Sequence, residues 1–315
     1  MRDTVLFGDC RKTLGTLKAQ ITTGIAERPR MCVTSPPYYG LRDYGGEENQ
    51  IGMEQSPEEF VKELVDVFRL VRDVLTDDGT LWLNIGDSYY NYRSDGNYPQ
   101  QSVSKTRQDL PESTPVRGNK LKGYKSKDLI GIPWMLAFAL RADGWYLRQD
   151  IIWHKPNPMP ESVKDRCTKS HEYIFLLSKS KQYFYDNEAI KEPVKQDWGT
   201  RDRTNGKYHN PGTGLQPHTG LTKSYTKKNK RSVWSVNKKP YKGAHFATYP
   251  PELIRPCILA GSERGDIVLD PFLGSGTTAM VAKDLGRSYI GCELNEDYAS
   301  LQSARISTIP NKLPL

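Results

Sequence analysis

Apolar residues recur at helical spacing between positions 60 and 75 (Phe60, Val61, Leu64, Val67, Phe68, Val71, Leu75). The pattern predicts an amphipathic helix that lays one stripe on a sheet. Ser56-Pro57-Glu58-Glu59 in front of it supplies an N-cap, a proline at the first helical position and an acid at the third, and Asp77-Asp78-Gly79 closes it. Short apolar runs bounded by turn residues predict buried strands at 4–9, 31–33, 80–85, 145–155, 173–178, 266–270 and 288–293. Further helices are expected from Arg11 to Leu17 behind an Asp9 cap, from Ile132 to Ala142 opened by Pro133, from Pro250 to Leu259, and from Ala279 to Leu285. No long helical pattern separates the strands at 145–155 and 173–178, so these two should pair at one end of the sheet.

Two stretches lack periodicity. From Asn91 to about Asp128 the chain is rich in Ser, Gln, Asn, Gly, Pro and Lys and reads as a mobile loop. Residues 187–243 are loaded with Gly and Pro and carry 13 Lys/Arg against 4 Asp/Glu, an excess of nine in a chain whose net charge is +8. The positive field therefore belongs to this segment, and Trp198, Tyr208, His209, His218, Tyr225, Trp234 and Tyr241 interleave with it. Basic residues with aromatics and no apolar face describe a surface that grips phosphate and stacks on bases; a solvated loop is the plainer reading.

Composition narrows the class. In 315 residues, 37% hydrophobic, no run of about 18 apolar residues occurs, which argues against a membrane span. The N-terminal residues show no signal-peptide pattern, so a cytoplasmic protein is expected. Five scattered cysteines (10, 32, 167, 257, 292) without a C-x-x-C pair argue against a disulfide framework or a zinc site. His154 and His171 lack the paired ligands of a metal centre, and none is expected.

The chemistry concentrates at two turns. Thr34-Ser35-Pro36-Pro37-Tyr38-Tyr39-Gly40 follows the apolar 31–33, and its adjacent prolines fix two φ angles and remove two donors. Such a turn can be a simple rigid corner, or it can hold a hydroxyl, a carbonyl and an aromatic face in fixed relation. Near the other end, the strand ending at Asp270 runs into Pro271-Phe272-Leu273-Gly274-Ser275-Gly276-Thr277-Thr278, a helix, and a strand tipped by Glu293, 23 residues after Asp270. This is a nucleotide-type βαβ unit, in which small residues let the backbone approach a ligand and the acid accepts from ribose hydroxyls. It is neither G-x-G-x-x-G nor a Gly-Lys-Ser/Thr phosphate loop, which favours an adenosyl cofactor without a pyrophosphate.

Together, Asp270-Pro-Phe-Leu-Gly-Ser-Gly-Thr-Thr278 and Thr34-Ser-Pro-Pro-Tyr38 resemble the motifs of the amino-methylating DNA methyltransferases that use S-adenosylmethionine. The order resembles that family's permuted β class: catalytic motif, target-recognition segment, cofactor loop. Gly8-Asp9, Trp153-His-Lys-Pro-Asn157 and His245-Phe-Ala-Thr-Tyr-Pro250 match further family positions, the last in place of the commoner His-Pro-Thr-Gln-Lys-Pro. The resemblance implies a Rossmann-like, doubly wound mixed α/β sheet of the class I methyltransferase type, circularly permuted, with an inserted basic region. Residues 1–186 would form the catalytic half, 187–243 the target-recognition region and 244–315 the cofactor half. It also implies roles. Asp270, Pro271, Phe272, Gly274, Ser275, Gly276 and Thr277 would cradle the cofactor's methionine part, Glu293 its ribose and Asp9 its adenine, with Phe246 lining the pocket. Arg201, Arg203, Lys207, Lys223, Lys227, Lys228, Lys230 and Arg231 would bind double-stranded DNA. Ser35, Pro36, Pro37 and Tyr38 would be catalytic.

An exocyclic amine is a poor nucleophile because its lone pair is delocalised into the ring. Acceptors such as Ser35 Oγ and the Pro36 carbonyl help it pyramidalise, and Tyr38 would stack on the extruded base. In this family Ser in the Ser-Pro-Pro-Tyr motif is commoner among N4-cytosine enzymes and Asp among N6-adenine enzymes, so cytosine is preferred and adenine is the alternative. Pro256-Cys257 has the dipeptide of carbon-5 cytosine enzymes without its surroundings. A catalytically idle DNA-binding protein and an RNA methyltransferase are the other readings. The expected partners are duplex DNA and a restriction endonuclease sharing the site, the chain acting as monomer or homodimer.

Overall fold

The computed structural model describes residues 1–40, 50–90, 121–194, 226–238 and 249–309. In chain order the elements are β1 (Thr4–Phe7), α1 (Cys10–Thr22), β2 (Met31–Thr34), α2 (Pro57–Val74), β3 (Thr80–Ile85), α3 (Ile132–Ala142), β4 (Tyr146–His154) and β5 (His171–Ser178). They continue with β6 (Glu192–Pro193), β7 (Lys227–Lys228), β8 (Val233–Ser235), α4 (Pro251–Gly261), β9 (Ile267–Asp270), α5 (Thr277–Asp284), β10 (Ser288–Glu293) and α6 (Tyr298–Ser307).

Eight strands form one mixed sheet in the order β1-β10-β9-β2-β3-β5-β4-β8, and β6 and β7 make a separate antiparallel pair. Only β5 opposes its neighbours in the large sheet; it is antiparallel to both β3 and β4. All other strands therefore end on the same edge. Thr4 on the first strand pairs with Ile290 on the last, so the first and last strands in chain order adjoin at one edge of the sheet.

Period-two alternation explains the two layers. In β3, Leu81, Leu83 and Ile85 face a core shared with α1, α2 and α3, while Trp82 faces a core shared with α4, α5 and α6. This is the doubly wound arrangement. The predicted stripe of α2 is fully inside: Phe60, Leu64, Val67, Phe68, Val71 and Leu75 are all 0% exposed. Each such side chain contributes about 1.5–3 kcal/mol relative to an exposed one. Ser56 accepts from the Glu59 N–H at 3.2 Å, while Glu59 reaches back to the Gln55 N–H at 3.1 Å, one residue before the cap.

The structure departs from the sequence reading in several places. α1 runs to Thr22 rather than stopping at Leu17. Part of the expected loop at 91–128 is packed: Leu121 is buried and donates its N–H to Tyr90 Oη at 2.9 Å, and Tyr90 N–H donates to the Asp128 carbonyl at 2.8 Å. Residues 91–120 lie outside the described residues. β8, inside the basic segment, adds to the main sheet beside β4, with Trp234 opposite Trp153. α6 had no apolar stripe to announce it, because one of its two buried residues is a glutamine. Among the described residues, no helix is long and apolar enough to cross a membrane.

Candidate functional site

β9 leads through α5 to β10 on one side, and β2 adjoins β9 on the other. The strand order reverses there, which opens a crevice beyond the carboxyl ends of these strands. Both turns singled out in the sequence leave the sheet at this point. Cys32 pairs with Leu269, and just beyond, Thr34 Oγ1 donates to Asp270 Oδ1 at 2.6 Å. The same carboxylate accepts from the Phe272 N–H at 3.0 Å, from Thr278 Oγ1 at 2.5 Å and from Tyr249 Oη at 3.1 Å. Burial pushes the Asp270 carboxyl above its usual range, and these four hydrogen bonds oppose the shift. Asp270 is thus a brace tying the proline turn to the glycine loop. Its carboxylate faces inward.

The loop after Asp270 depends on glycine. Gly274 and Gly276 take positive φ values of 53° and 82°, which other residues rarely adopt. A Cβ on Gly291 of β10 would lie 2.5 Å from Leu273 Cδ2, so the bare backbone there lets the loop sit down on the sheet. Ser275 is buried and receives Arg305 Nη1 at 2.6 Å, and Gln302 Nε2 donates to the Gly274 carbonyl at 2.7 Å. Pro271, Gly276 and Thr277 are buried too, whereas Phe272 and Gly274 keep partly exposed surface. Glu293 accepts from the N–H groups of Gly274 (2.7 Å) and Asn295 (3.0 Å). Burial raises its pKa, and those N–H groups offset part of the rise.

Asp9 stands on the adjoining strand end, where the Gly8 N–H donates to the Glu293 carbonyl at 2.8 Å. Its carboxylate caps α1 at the Arg11 N–H, 2.9 Å, and receives the Arg11 guanidinium, which also reaches Glu63 at 2.7 Å. Partial burial raises the Asp9 pKa, but the hydrogen bonds from Arg11 outweigh it and leave the group below its ordinary value. Phe246 lies outside the described residues.

In the proline turn, Pro36 is buried while Ser35, Pro37 and Tyr38 remain partly exposed. Tyr38 Oη donates to Glu172 Oε2 at 2.8 Å. Glu172 is ion-paired with Lys155, which is 6% exposed and lies over the Trp153 ring, 4.2 Å from its centroid. Asn84, on β3, donates to the Tyr173 carbonyl at 3.0 Å beside them. A Cβ on Gly86 would fall 2.8 Å from Tyr38 Cε2. His154 meets Ser235 Oγ at 3.0 Å and His171 packs edge-on to Tyr173. Among the described residues, no three His, Cys, Asp or Glu side chains could share a metal ion.

Of the basic residues, Arg201, Arg203, Lys207 and Lys223 lie outside the described residues. Lys227 and Lys228 form β7, with Lys227 exposed. Lys230 and Arg231 both approach Glu192, at 3.6 and 3.2 Å, so one acid offsets part of their charge. Cys257 is 0% exposed inside the α4 core, its Sγ is 3.7 Å from the Leu253 carbonyl, and burial pushes its thiol far up. It cannot serve as the nucleophile that carbon-5 chemistry requires.

Sequence reasoning did not single out Thr34, Thr278 and Tyr249 as partners of Asp270, nor Glu172 and Lys155 as partners of Tyr38. Thr34 and Thr278 stood within quoted motifs. Tyr249 had a signal, since it replaces the lysine of the commoner His-Pro-Thr-Gln-Lys-Pro pattern. Glu172 had none.

Known proteins resemble this chain along most of its length. Residues 30–304 match the N6/N4 methyltransferase family, described as DNA methylase. The chain is 51% identical over 277 residues to the type II methyltransferase M.XycI of Xanthomonas campestris pv. cyanopsidis, covering 88% of this chain and 81% of that one. It is 47% identical over 306 residues to the type II methyltransferase M.SmaI of Serratia marcescens, covering 96% and 90%. Among solved structures, the fold is similar to the PvuII DNA methyltransferase (cytosine-N4-specific), with a TM-score of 0.60, 16% identity and coverage of 100% and 89%. It is likewise similar to the M1.HpyAVI–SAM complex, with a TM-score of 0.54, 15% identity and coverage of 96% and 98%.

Proposed function

The chain belongs to the N6/N4 family of DNA methylases, and from that premise we propose that it is an S-adenosylmethionine-dependent, site-specific methyltransferase. It modifies the exocyclic N4 of cytosine in duplex DNA. The observation that carries this reading is the Thr34–Asp270 hydrogen bond, 2.6 Å, which ties the proline turn and the glycine loop to one crevice. An enzyme that brings a base amine to a cofactor needs its two half-sites so joined.

The donor set at the crevice fits S-adenosylmethionine. Glu293 at the tip of β10 offers a carboxylate suited to hydroxyls, and the loop between Asp270 and Thr277 has no lysine or arginine for a pyrophosphate. Glu293 would accept from the ribose hydroxyls. Phe272 and the backbone around Gly274 would line the methionine part, while Asp270, Ser275 and Thr277 act by shaping the loop. When bound, S-adenosylmethionine supplies a methyl group made electrophilic by its sulfonium sulfur.

The remaining work falls to the chain's own residues. Ser35 Oγ and the Pro36 carbonyl accept from the base amine, localise its lone pair and stabilise the positive charge that grows on nitrogen. No strong base is needed, since the alkylated amine is acidic enough to lose its proton late. Tyr38 stacks on the base, which must leave the duplex to present its amine. Serine at position 35, where an acid would favour adenine in this family, supports the cytosine assignment. β4 and β8 end on the same edge as β2 and β9, and beyond them Asn157 and Lys238 hold each other by two backbone–side-chain hydrogen bonds. The described part of the basic segment thus lies on the same edge of the sheet as the crevice, which supports reading the segment as a DNA clamp. Its relatives are type II methyltransferases, which supports a modification role in the cytoplasm beside an endonuclease of the same specificity.

The test is methyl transfer from labelled S-adenosylmethionine to unmodified plasmid DNA and, separately, to structured RNA. Label in duplex DNA alone is expected. Absence of transfer by folded, cofactor-binding protein would favour an idle DNA-binding module, and equal labelling of RNA would overturn the DNA assignment.

A further inference from the structure

Tyr38 is the one aromatic ring of the catalytic turn with partly exposed surface, since Tyr39 is buried against Phe60. A stacking ring works best when its plane is fixed before the base arrives, because immobilising it on binding costs side-chain entropy. Packing alone does not fix the plane of a partly exposed tyrosine. Here its hydroxyl is anchored to Glu172 Oε2 at 2.8 Å.

Glu172 is an unusual residue to find there. It lies on β5, a strand whose last five residues, Ile174 to Ser178, are buried, and it faces Lys155, itself 6% exposed. Taking both charges out of water is expensive, and an apolar pair of the same volume is often as stable. Burial draws the Lys155 pKa below the ordinary lysine range, and the attraction of Glu172 opposes this. The pair is therefore poorly accounted for by stability. Its geometry accounts for it better: Lys155 Nζ holds Oε1, leaving Oε2 aimed at the tyrosine hydroxyl. On the other side, Gly86 removes the Cβ that would strike Tyr38 Cε2 at 2.8 Å and would approach the Glu172 carboxyl carbon at 3.4 Å. Anchor and vacant space sit on neighbouring strand ends and act on one ring.

We infer that Glu172, held by Lys155, is a positioning residue that sets the Tyr38 ring plane for the incoming base, and that Gly86 is the clearance this orientation requires. The inference rests on the methyltransferase reading above and deepens it. Glu172 need touch neither base nor cofactor for this role. Its effect passes through the Tyr38 hydroxyl.

A double-mutant cycle isolates that route. Tyr38→Phe and Glu172→Gln, singly and together, are compared in single-turnover methylation of plasmid DNA, with S-adenosylhomocysteine affinity measured by calorimetry. Each single variant should slow transfer about tenfold, the worth of one hydrogen bond to a charged group. The double variant should be no slower than the slower single, with cofactor affinity unchanged throughout. Multiplying effects, near hundredfold in the double variant, or a parallel loss of cofactor affinity, would overturn the inference. Gly86→Ala should likewise slow transfer while sparing cofactor affinity. A second readout needs no catalysis: with ring-labelled tyrosine, NMR should show a slowly flipping Tyr38 ring in the wild type and fast averaging in Glu172→Ala. A ring that averages fast in both contradicts the positioning role, even where transfer is absent and the methyltransferase reading itself has failed.

Discussion

Burial behind Gly274 and Asn295 raises the Glu293 carboxyl above the ordinary carboxylate range. The folded protein then holds that proton more tightly than the unfolded chain does. The contribution of Glu293 to stability is therefore largest below the unfolded value and falls as pH rises through the raised one. Glutamine at this position does not titrate. In the cofactor-free protein, the difference in melting temperature between Glu293→Gln and wild type should move in the variant's favour as pH rises across that window. A pH-independent difference would contradict the burial account. Calorimetry with S-adenosylmethionine should show the same variant binding at least about tenfold more weakly, because a hydrogen bond to a charged acceptor contributes about 1.5–3 kcal/mol. At this scale motifs picked out Ser35, Tyr38, Gly274 and Glu293 as candidates, and the structure brings the two turns that hold the first three to one crevice. The sequence was silent on side-chain direction: Asp270 turns inward to Thr34, Thr278 and Tyr249, and Asp9 is engaged by Arg11. Partners 236 residues apart, such as Thr34 and Asp270, leave no local trace.

Between elements, the joint of β2 and β9 is the connection the site depends on. Removing the hydroxyl in Thr34→Val leaves a buried carboxylate short of one donor. Urea denaturation should register a loss of about 2 kcal/mol. Because the joint ties the two half-sites, single-turnover transfer should fall more than cofactor affinity does; equal losses would point to general loosening. Elements with strong periodicity or a clear cap were legible in the chain, as α2 and α3 illustrate, the latter found at Ile132–Ala142 as its spacing predicts. Those missed share a cause. β8 is three residues long in a basic stretch, and α6 buries Gln302, which is held by a carbonyl of the glycine loop, so tertiary contacts created elements that local pattern does not encode.

Across the whole molecule, the uneven charge sets how DNA would approach. A surplus of nine positive charges lies in residues 187–243 of a chain whose total is +8, and its described part joins the sheet beside β4. Plasmid or oligonucleotide duplex affinity should fall steeply with salt, with a log–log slope of about −0.9 for each phosphate neutralised. Replacing Lys227 and Lys228 by glutamine should flatten that slope, whereas a flat wild-type slope would argue against the clamp. The parallel run of seven of the eight strands brings the described part of the basic segment, the proline turn and the glycine loop to one edge, which is how motifs far apart in the chain come together. The measurement that tests this account most directly is mass spectrometry of nucleosides from duplex DNA incubated with the protein and isotope-labelled S-adenosylmethionine. The account predicts labelled N4-methylcytosine; N6-methyladenine alone would contradict the base assignment, and no labelled nucleoside at all would contradict the central claim that this crevice methylates DNA.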